Sequence, residues 1–393
     1  MAKMRLLFVT TALGTGGAER MLVKLLGELT ARGCECCVVS LLDSGTQGFA
    51  LKRLDVPVHH LRVNRFIGLS AAAGRLQCIT RRFRPEIIQG WMYHGNLAAY
   101  CGWIGSQRRA RLFWGIRQTF KGMMYEKPLT RMVIRACAAL STFPTHVIFN
   151  SEMSLEQHEA IGFCSARSLV IANGFDLRLF RPNPEARAVT REELGISQDA
   201  PVIGMVARNH PMKDHANFLT AAARVKQQLT STVFVLAGPG MDRTNHRIVA
   251  MTERLGFANS IRLIGEKKET NALYPAFDVL ALSSAWGEAF PNVLGEAMAC
   301  GIPCVATDLG DIRQIIGYTG HVVPPSSPQE LATKLLHILS LGKTEWLTLG
   351  GLARRRIEER YSLEQIANSY QNIYISSSRL KEQTQNHKLT AKA

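Results

Sequence analysis

Two glutamates, Glu288 and Glu296, stand with seven residues between them in GEAFPNVLGEAMACGIPCVATDLGD, a stretch otherwise small and apolar. Glu296 falls inside a helix expected to start near Pro291, among Val293, Leu294, Ala297 and Met298. A lone carboxylate buried there costs several kcal/mol, so it needs partners. From about a turn and a half into the helix it can accept two hydroxyl hydrogen bonds, as a ribose diol offers, which offsets part of the desolvation. Glu288 precedes the helix. Around Pro291 in an early helical position, Phe290, Asn292, Val293 and Leu294 supply first-turn N–H groups and the positive end of the macrodipole, suited to phosphate or sugar oxygens. The alternative is structural: Glu288 as a first-turn acid, and Glu296 as a buried acid bound to backbone.

A cationic pair completes the set. Arg208 and Lys213 flank a turn in VARNHPMKDHANFL, after a strand and just before a helix capped by Asp214. Arginine offers a fork and lysine a point charge, and the two together suit a diphosphate. A third element is LFVTTALGTGGAER, where Gly14, Gly16 and Gly17 lie between the first strand and a helix. Glycines there permit positive φ and close approach of backbone to an anion. Position 19 is Glu19, so the dinucleotide fingerprint fails, and no Gly-Lys-Ser/Thr follows to make a P-loop. A plain tight turn explains the loop equally well.

The elements that must position these groups alternate along the chain. MRLLFVTT, CECCVVSLL, PVHHLRV, EIIQGW, RLFWGIR, THVIF and SLVIAN read as short buried strands with amphipathic helices between most of them. Such alternation predicts a parallel sheet covered on both faces. A polar break with three prolines, LFRPNPEARAVTREELGISQDAP, follows, and the pattern restarts with PVIGMVA, STVFVLAG, SIRLIG, DVLALSS and IPCVAT. The expected architecture is α/β: two doubly wound Rossmann-like domains, at 1–185 and 200–362, facing each other across a cleft. A helix over 363–377 crossing back to the first domain and a frayed polar tail over 378–393 complete it.

The 393 residues, 46% hydrophobic and 20% charged, are those of a two-domain globular protein. No apolar run approaches a membrane span, and the N-terminus enters a strand directly, so no signal peptide is expected. Nine scattered cysteines imply a reducing cytoplasm, and Cys34, Cys36 and Cys37 read as small hydrophobes of a buried strand. The net charge of +16 is concentrated: residues 51–150 carry sixteen Lys and Arg against three Asp and Glu. With no nucleic-acid module recognised, an anionic membrane surface or acceptor is the expected partner, rather than nucleic acid.

The stretch from Trp286 to Asp311 resembles the glutamate-pair signature of the retaining glycosyltransferases of GT-B fold, in particular glycosyltransferase family 4. GTGGAER resembles that family's N-terminal loop, and VIFNSEMSLEQHEAIGF with VIANGFDLRLFRP its interdomain segment. VARNHPMKDH resembles its arginine/lysine element, and VLAGPG and IRLIGE its middle strands. The resemblance implies that Glu288 contacts donor sugar hydroxyls and Glu296 the nucleotide ribose. Arg208 and Lys213 would hold the diphosphate, and Gly16 and Gly17 would bring backbone close to it or to the acceptor. His94, in QGWMYHGNLAAY, matches a histidine placed after the fourth strand to touch the donor sugar, and Arg117 is a weaker candidate near sugar or acceptor.

The implied activity is hexosyl transfer from a nucleotide diphosphate sugar, a UDP-sugar first, to a glycan or lipid-linked acceptor in cell-surface polysaccharide or lipopolysaccharide biosynthesis. Retention would follow same-face attack, with the departing diphosphate helping to deprotonate the acceptor. No Asp-x-Asp element is conspicuous, so neither metal nor cofactor is expected. The basic, aromatic- and methionine-containing FWGIRQTFKGMMYEKPLTRM suits peripheral docking on the cytoplasmic face of an inner membrane. A nucleotide-sugar epimerase of similar fold and a non-catalytic nucleotide-sugar binder are the alternatives.

Overall fold

A computed structural model of the chain describes residues 3–43, 45–63, 68–267 and 269–390. It divides into two compact units, Met1–Gly174 with Leu363–Ala393, and Phe175–Ser362. The first holds a seven-stranded sheet: β1 (Arg5–Thr10), β2 (Glu35–Ser40), β3 (Val58–His60), β4 (Ile87–Trp91), β5 (Arg111–Ile116), β6 (His146–Phe149) and β7 (Ser168–Val170). Its order is β3-β2-β1-β4-β5-β6-β7, and every pair is parallel. Period-two alternation serves two cores at once. Leu6 and Phe8 face one, Leu7 and Val9 the other. Cys36 and Cys37 likewise fall on opposite faces, and burial pushes both thiols up to about 12, so they pack as small apolar side chains.

The helix Leu363–Thr390 belongs to this first unit and packs on the Gly17–Ala31 helix, with Ile366, Ala367, Tyr370 and Tyr374 in its core. Arg32 ties it down through the Glu364 carbonyl at 2.8 Å. The helix continues past residue 377, so the stretch 378–390 is helical where a frayed tail is expected. The last three residues of that tail lie outside the described residues.

The second unit holds β8 (Val202–Val206), β9 (Val233–Ala237), β10 (Ile261–Leu263), β11 (Val279–Leu282), β12 (Cys304–Thr307) and β13 (Gly320–Val323), in the parallel order β10-β9-β8-β11-β12-β13. Ile203, Met205, Phe234, Leu236, Val279 and Val305 share one core with the helices His215–Gln228 and Pro328–Leu339. On the opposite face a Cβ at Gly204 would fall into the Phe277 ring. Gly204→Ala is therefore expected to lower stability by about 1–3 kcal/mol through overpacking, read as a lower urea midpoint at unchanged slope.

The polar break at 179–201 is no linker. The chain divides at Gly174, upstream of the expected 185, and the break folds into the second unit. Asn183 caps the helix Pro184–Glu193 by accepting from the Ala186 N–H at 3.0 Å. From that helix Arg187 and Arg191 reach Asp278 at 2.6 and 2.8 Å. Arg191, fully buried, also donates to the carbonyls of Ala276, Gln198 and Ala200. Two arginines whose polarity suggests solvent, Arg187 and Arg191, make a satisfied internal network with Asp278 instead. The chain leaves this unit where it came in, with the Phe175 N–H on the Tyr361 carbonyl at 2.9 Å.

Candidate active site

Each sheet has one point where the strand order reverses, between β1 and β4 and between β8 and β11. Ligands of doubly wound sheets sit beyond the carboxyl ends of the strands at such points. The candidate residues of the second unit gather around its own.

After β8 the chain passes the exposed Arg208 and turns through Pro211–Lys213. His210 Nδ1 accepts from the Met212 N–H at 3.2 Å, and the Lys213 N–H reaches the His210 carbonyl at 2.9 Å. Asp214 then takes a left-handed conformation, φ 44°, which aspartate tolerates, and its carboxylate caps Asn217 at 3.2 Å. The end of β11 clamps this turn. Ser283 Oγ donates to the Lys213 and Asp214 carbonyls at 2.9 and 3.1 Å, and the Ala285 N–H to the Met212 carbonyl at 2.8 Å.

The clamp brings Lys213 against Glu288. The ammonium pairs with Glu288 Oε1, and Ser284 Oγ donates to the same oxygen at 2.5 Å. Thr307, at the end of β12, donates to the Ser284 carbonyl at 2.7 Å. Glu288 is 6% exposed, so the pair is largely desolvated, and removing either partner would leave the other charge uncompensated. Gly310, at φ 54°, lets the next loop close over the site: any Cβ there would strike the Glu288 and Ala289 carbonyls.

The helix starts at Asn292, with Pro291 as its N-cap residue. Phe290 and Leu294 are buried, Phe290 against Phe175 and Tyr361 at ring separations of 6.3 and 5.1 Å. Their side chains belong to the core, whereas Asn292 and Val293 are half-buried at the helix start. Glu296, 6% exposed, accepts from Tyr274 OH at 2.9 Å. Burial and the neighbouring Glu296 charge push the Tyr274 phenol far up, so it remains a donor. Glu296 therefore has a side-chain partner in Tyr274.

In the first unit, Gly16 is the N-cap of the Gly17–Ala31 helix with φ −64°. Neither it, Gly14 nor Gly17 has positive φ. What Gly16 lacks is a Cβ that would fall on the Glu19 carboxylate. His94 lies across the β1/β4 reversal, in the first turn of the helix Met92–Gly105. The helix begins close to β1: a Cβ on Gly95 would sit 3.1 Å from Thr10 Cα. Burial lowers the His94 imidazole below its usual range, so it is neutral at pH 7. Met92, two residues earlier, is left-handed at φ 65°, a strained corner of the kind found at functional sites.

Arg117 is not near an open surface. It is buried, donates to the Ile171 carbonyl at 3.1 Å, to Asn173 Oδ1 at 3.0 Å and to Tyr370 OH, and lies over the Trp91 ring at 4.7 Å. Burial lowers it to about 9. Through Tyr370 it holds the C-terminal helix, a structural role beside the sugar or acceptor contact expected from the sequence. Ser284 and Tyr274 were not anticipated. The Ser-Ser pair closing DVLALSS was the available sign for the first; Tyr274 lies far from Glu296 in sequence and gave none.

The family model for Glycosyltransferase Family 4 matches residues 15–179, and that for Glycosyl transferases group 1 matches residues 200–341. A putative glycosyltransferase, EpsF of Bacillus subtilis (strain 168), is 34% identical over 139 residues, 35% of this chain and 35% of EpsF. The N-acetyl-alpha-D-glucosaminyl L-malate synthase of Bacillus anthracis is 23% identical over 93% of this chain and 95% of its own. Among solved structures, HepE of Anabaena in complex with UDP superposes with a TM-score of 0.82 at 22% identity, covering 95% of this chain and all of that one.

Proposed function

Since the chain belongs to glycosyltransferase family 4 and has the GT-B fold, we propose that it moves a hexosyl unit from a nucleoside diphosphate sugar onto a hydroxyl group with retention. The observation that carries this reading is the Lys213–Glu288–Ser284 cluster at a strand-order reversal. A free carboxylate could take sugar hydroxyls, and a lysine held at the same point could turn to a phosphate. Glu288 orients the sugar, and Arg208 and Lys213 take the charge that develops on the departing diphosphate. Glu296, steadied by Tyr274, accepts from the ribose. Within the first unit, the neutral His94 at the β1/β4 reversal and the backbone of Gly16 and Gly17 are the groups suited to hydroxyl and anion contacts. The same-face route needs no protein nucleophile, and these cations supply charge that a divalent metal would otherwise bring.

UDP is the first nucleotide to try, because the structural neighbour HepE binds it. The acceptor is a glycan or lipid-linked saccharide of cell-surface polysaccharide biosynthesis, met at the cytoplasmic face of a membrane. No helix among the described residues is long and apolar enough to cross one. Calorimetry with UDP and a panel of UDP-sugars tests the reading. Binding is expected for the wild type, and Glu296→Gln should weaken it about tenfold by removing one charge-assisted contact. Failure of every nucleoside diphosphate and its sugars to bind the wild type would overturn the assignment.

A further inference from the structure

The turn that carries His94 is anchored on both faces of its sheet. In an unbroken strand, residues two apart point to the same face, yet Trp91 lies in one core of the first unit and Tyr93 in the other. The left-handed Met92 between them, at φ 65°, turns the chain across. Methionine has no intrinsic preference for that conformation, so contacts on either side must hold it. On one side Trp91 Nε1 donates to the Ala18 carbonyl at 3.0 Å. On the other, the Tyr93 carbonyl accepts from Cys137 Sγ at 3.5 Å, and the Tyr93 hydroxyl lies 2.6 Å from His158 Nε2.

His158 is fully buried, its ring 5.1, 5.2 and 5.1 Å from those of Phe120, Phe149 and Phe163. An imidazole among aromatic rings needs a polar partner at each nitrogen. Nδ1 faces the Ser154 carbonyl at 2.5 Å, which can only accept, so Nδ1 carries the proton and Nε2 accepts from the Tyr93 hydroxyl. Burial lowers this imidazole to about 4 and pushes the Tyr93 phenol up, which keeps acceptor and donor in those states at neutral pH. The helix Glu152–Glu159 that bears His158 is itself tied to the chain leaving β5. Ser154 Oγ donates to the Gln118 carbonyl at 2.7 Å, and Gln157 Oε1 accepts from the Phe120 N–H at 3.1 Å. A phenylalanine would fill the place of His158 with no polar requirement. What the histidine adds is a fixed acceptor for Tyr93, the residue next to His94.

We infer that Tyr93 and His158 are positioning residues that seat the His94 imidazole at the β1/β4 reversal. The use made of that seat rests on the proposed sugar transfer, whereas the seat itself is tested without substrate. Burial is what lowers His94, so its titration midpoint reports how the ring is held. That midpoint is followed through the imidazole Cε1–H signal in histidine-labelled full-length protein, the signal being identified by its loss in His94→Ala. Tyr93→Phe and His158→Phe should each raise it by about half a unit or more, toward the ordinary value of about 6.5. Each single change strands one buried polar partner. The Tyr93→Phe, His158→Phe double variant removes both, and should melt nearer the wild type while His94 stays displaced. Gly204→Ala, destabilising in the second unit, should leave the midpoint unmoved. UDP binding should be unchanged, while UDP release from the tightest-binding UDP-sugar of the calorimetric panel should fall about tenfold in the positioning variants. An unmoved His94 midpoint in the double variant would overturn the inference, as would an equal shift in Gly204→Ala. Wild-type turnover with a shifted midpoint would instead take His94 off the sugar, and a protein that binds no nucleoside diphosphate would remove the donor-site reading. Either result leaves the positioning standing.

Discussion

Glu288→Gln is expected to lower the rate of sugar transfer by about a hundredfold, the upper end of what one charge-assisted hydrogen bond is worth, while UDP binds as well as before or slightly better. The side chain keeps its size, and its amide oxygen can still accept from Ser284 Oγ. What goes is the charge, both toward sugar hydroxyls and toward Lys213. In the unliganded protein Lys213 is held by Glu288, and a diphosphate has to compete for it. Without that competitor the ammonium is more available to phosphate, so affinity for the nucleotide and turnover should move in opposite senses. Initial rates with calorimetry on the same preparation check this. Parallel losses in UDP affinity and turnover would place Glu288 on the nucleotide rather than on the sugar.

Sequence patterning revealed the sheets because apolar alternation is dictated by burial on both faces. Leu6, Leu7, Phe8 and Val9 must each meet a core whatever lies beyond them. β13 escaped because GHVV, followed at once by Pro324, offers only Val322 and Val323 as consecutive apolar residues and no alternation to read. The segment 179–201 misled for a related reason. Composition cannot distinguish an arginine in water from Arg191, whose donors are consumed by Asp278 and the Ala276 carbonyl, both distant in sequence, and by the nearby Gln198 and Ala200 carbonyls. Arg117 likewise gains aromatic and carbonyl partners that assemble only in three dimensions. The acidic and cationic candidates were legible through their types and spacing: Glu296 is polar among apolar helix residues, and Arg208, Lys213 and Glu288 stand in the turns that follow strands. Their supports, Ser283, Ser284, Thr307 and Tyr274, are ordinary residues made specific by the fold.

Lys213→Met should lower turnover by about 10²–10³-fold, the loss typical of removing one preorganised group from a developing negative charge. A stability measurement separates this catalytic role from mere packing. The Lys213 side chain is 15% exposed and that of Glu288 7%. Removing the lysine leaves a mostly buried carboxylate with Ser284 but without its counter-ion, and should cost about 3 kcal/mol or more of folding free energy. Adding Glu288→Gln removes the stranded charge. The double variant should then be more stable than the sum of the two single losses predicts, by about 1 kcal/mol or more, as contacting residues are expected to couple. Its turnover should nevertheless stay at or below that of Lys213→Met, because neutrality restores the fold and not the positive charge facing the leaving group. Urea unfolding and initial rates on the four proteins decide the matter. Recovery of activity along with stability would mean that Lys213 serves only to neutralise Glu288.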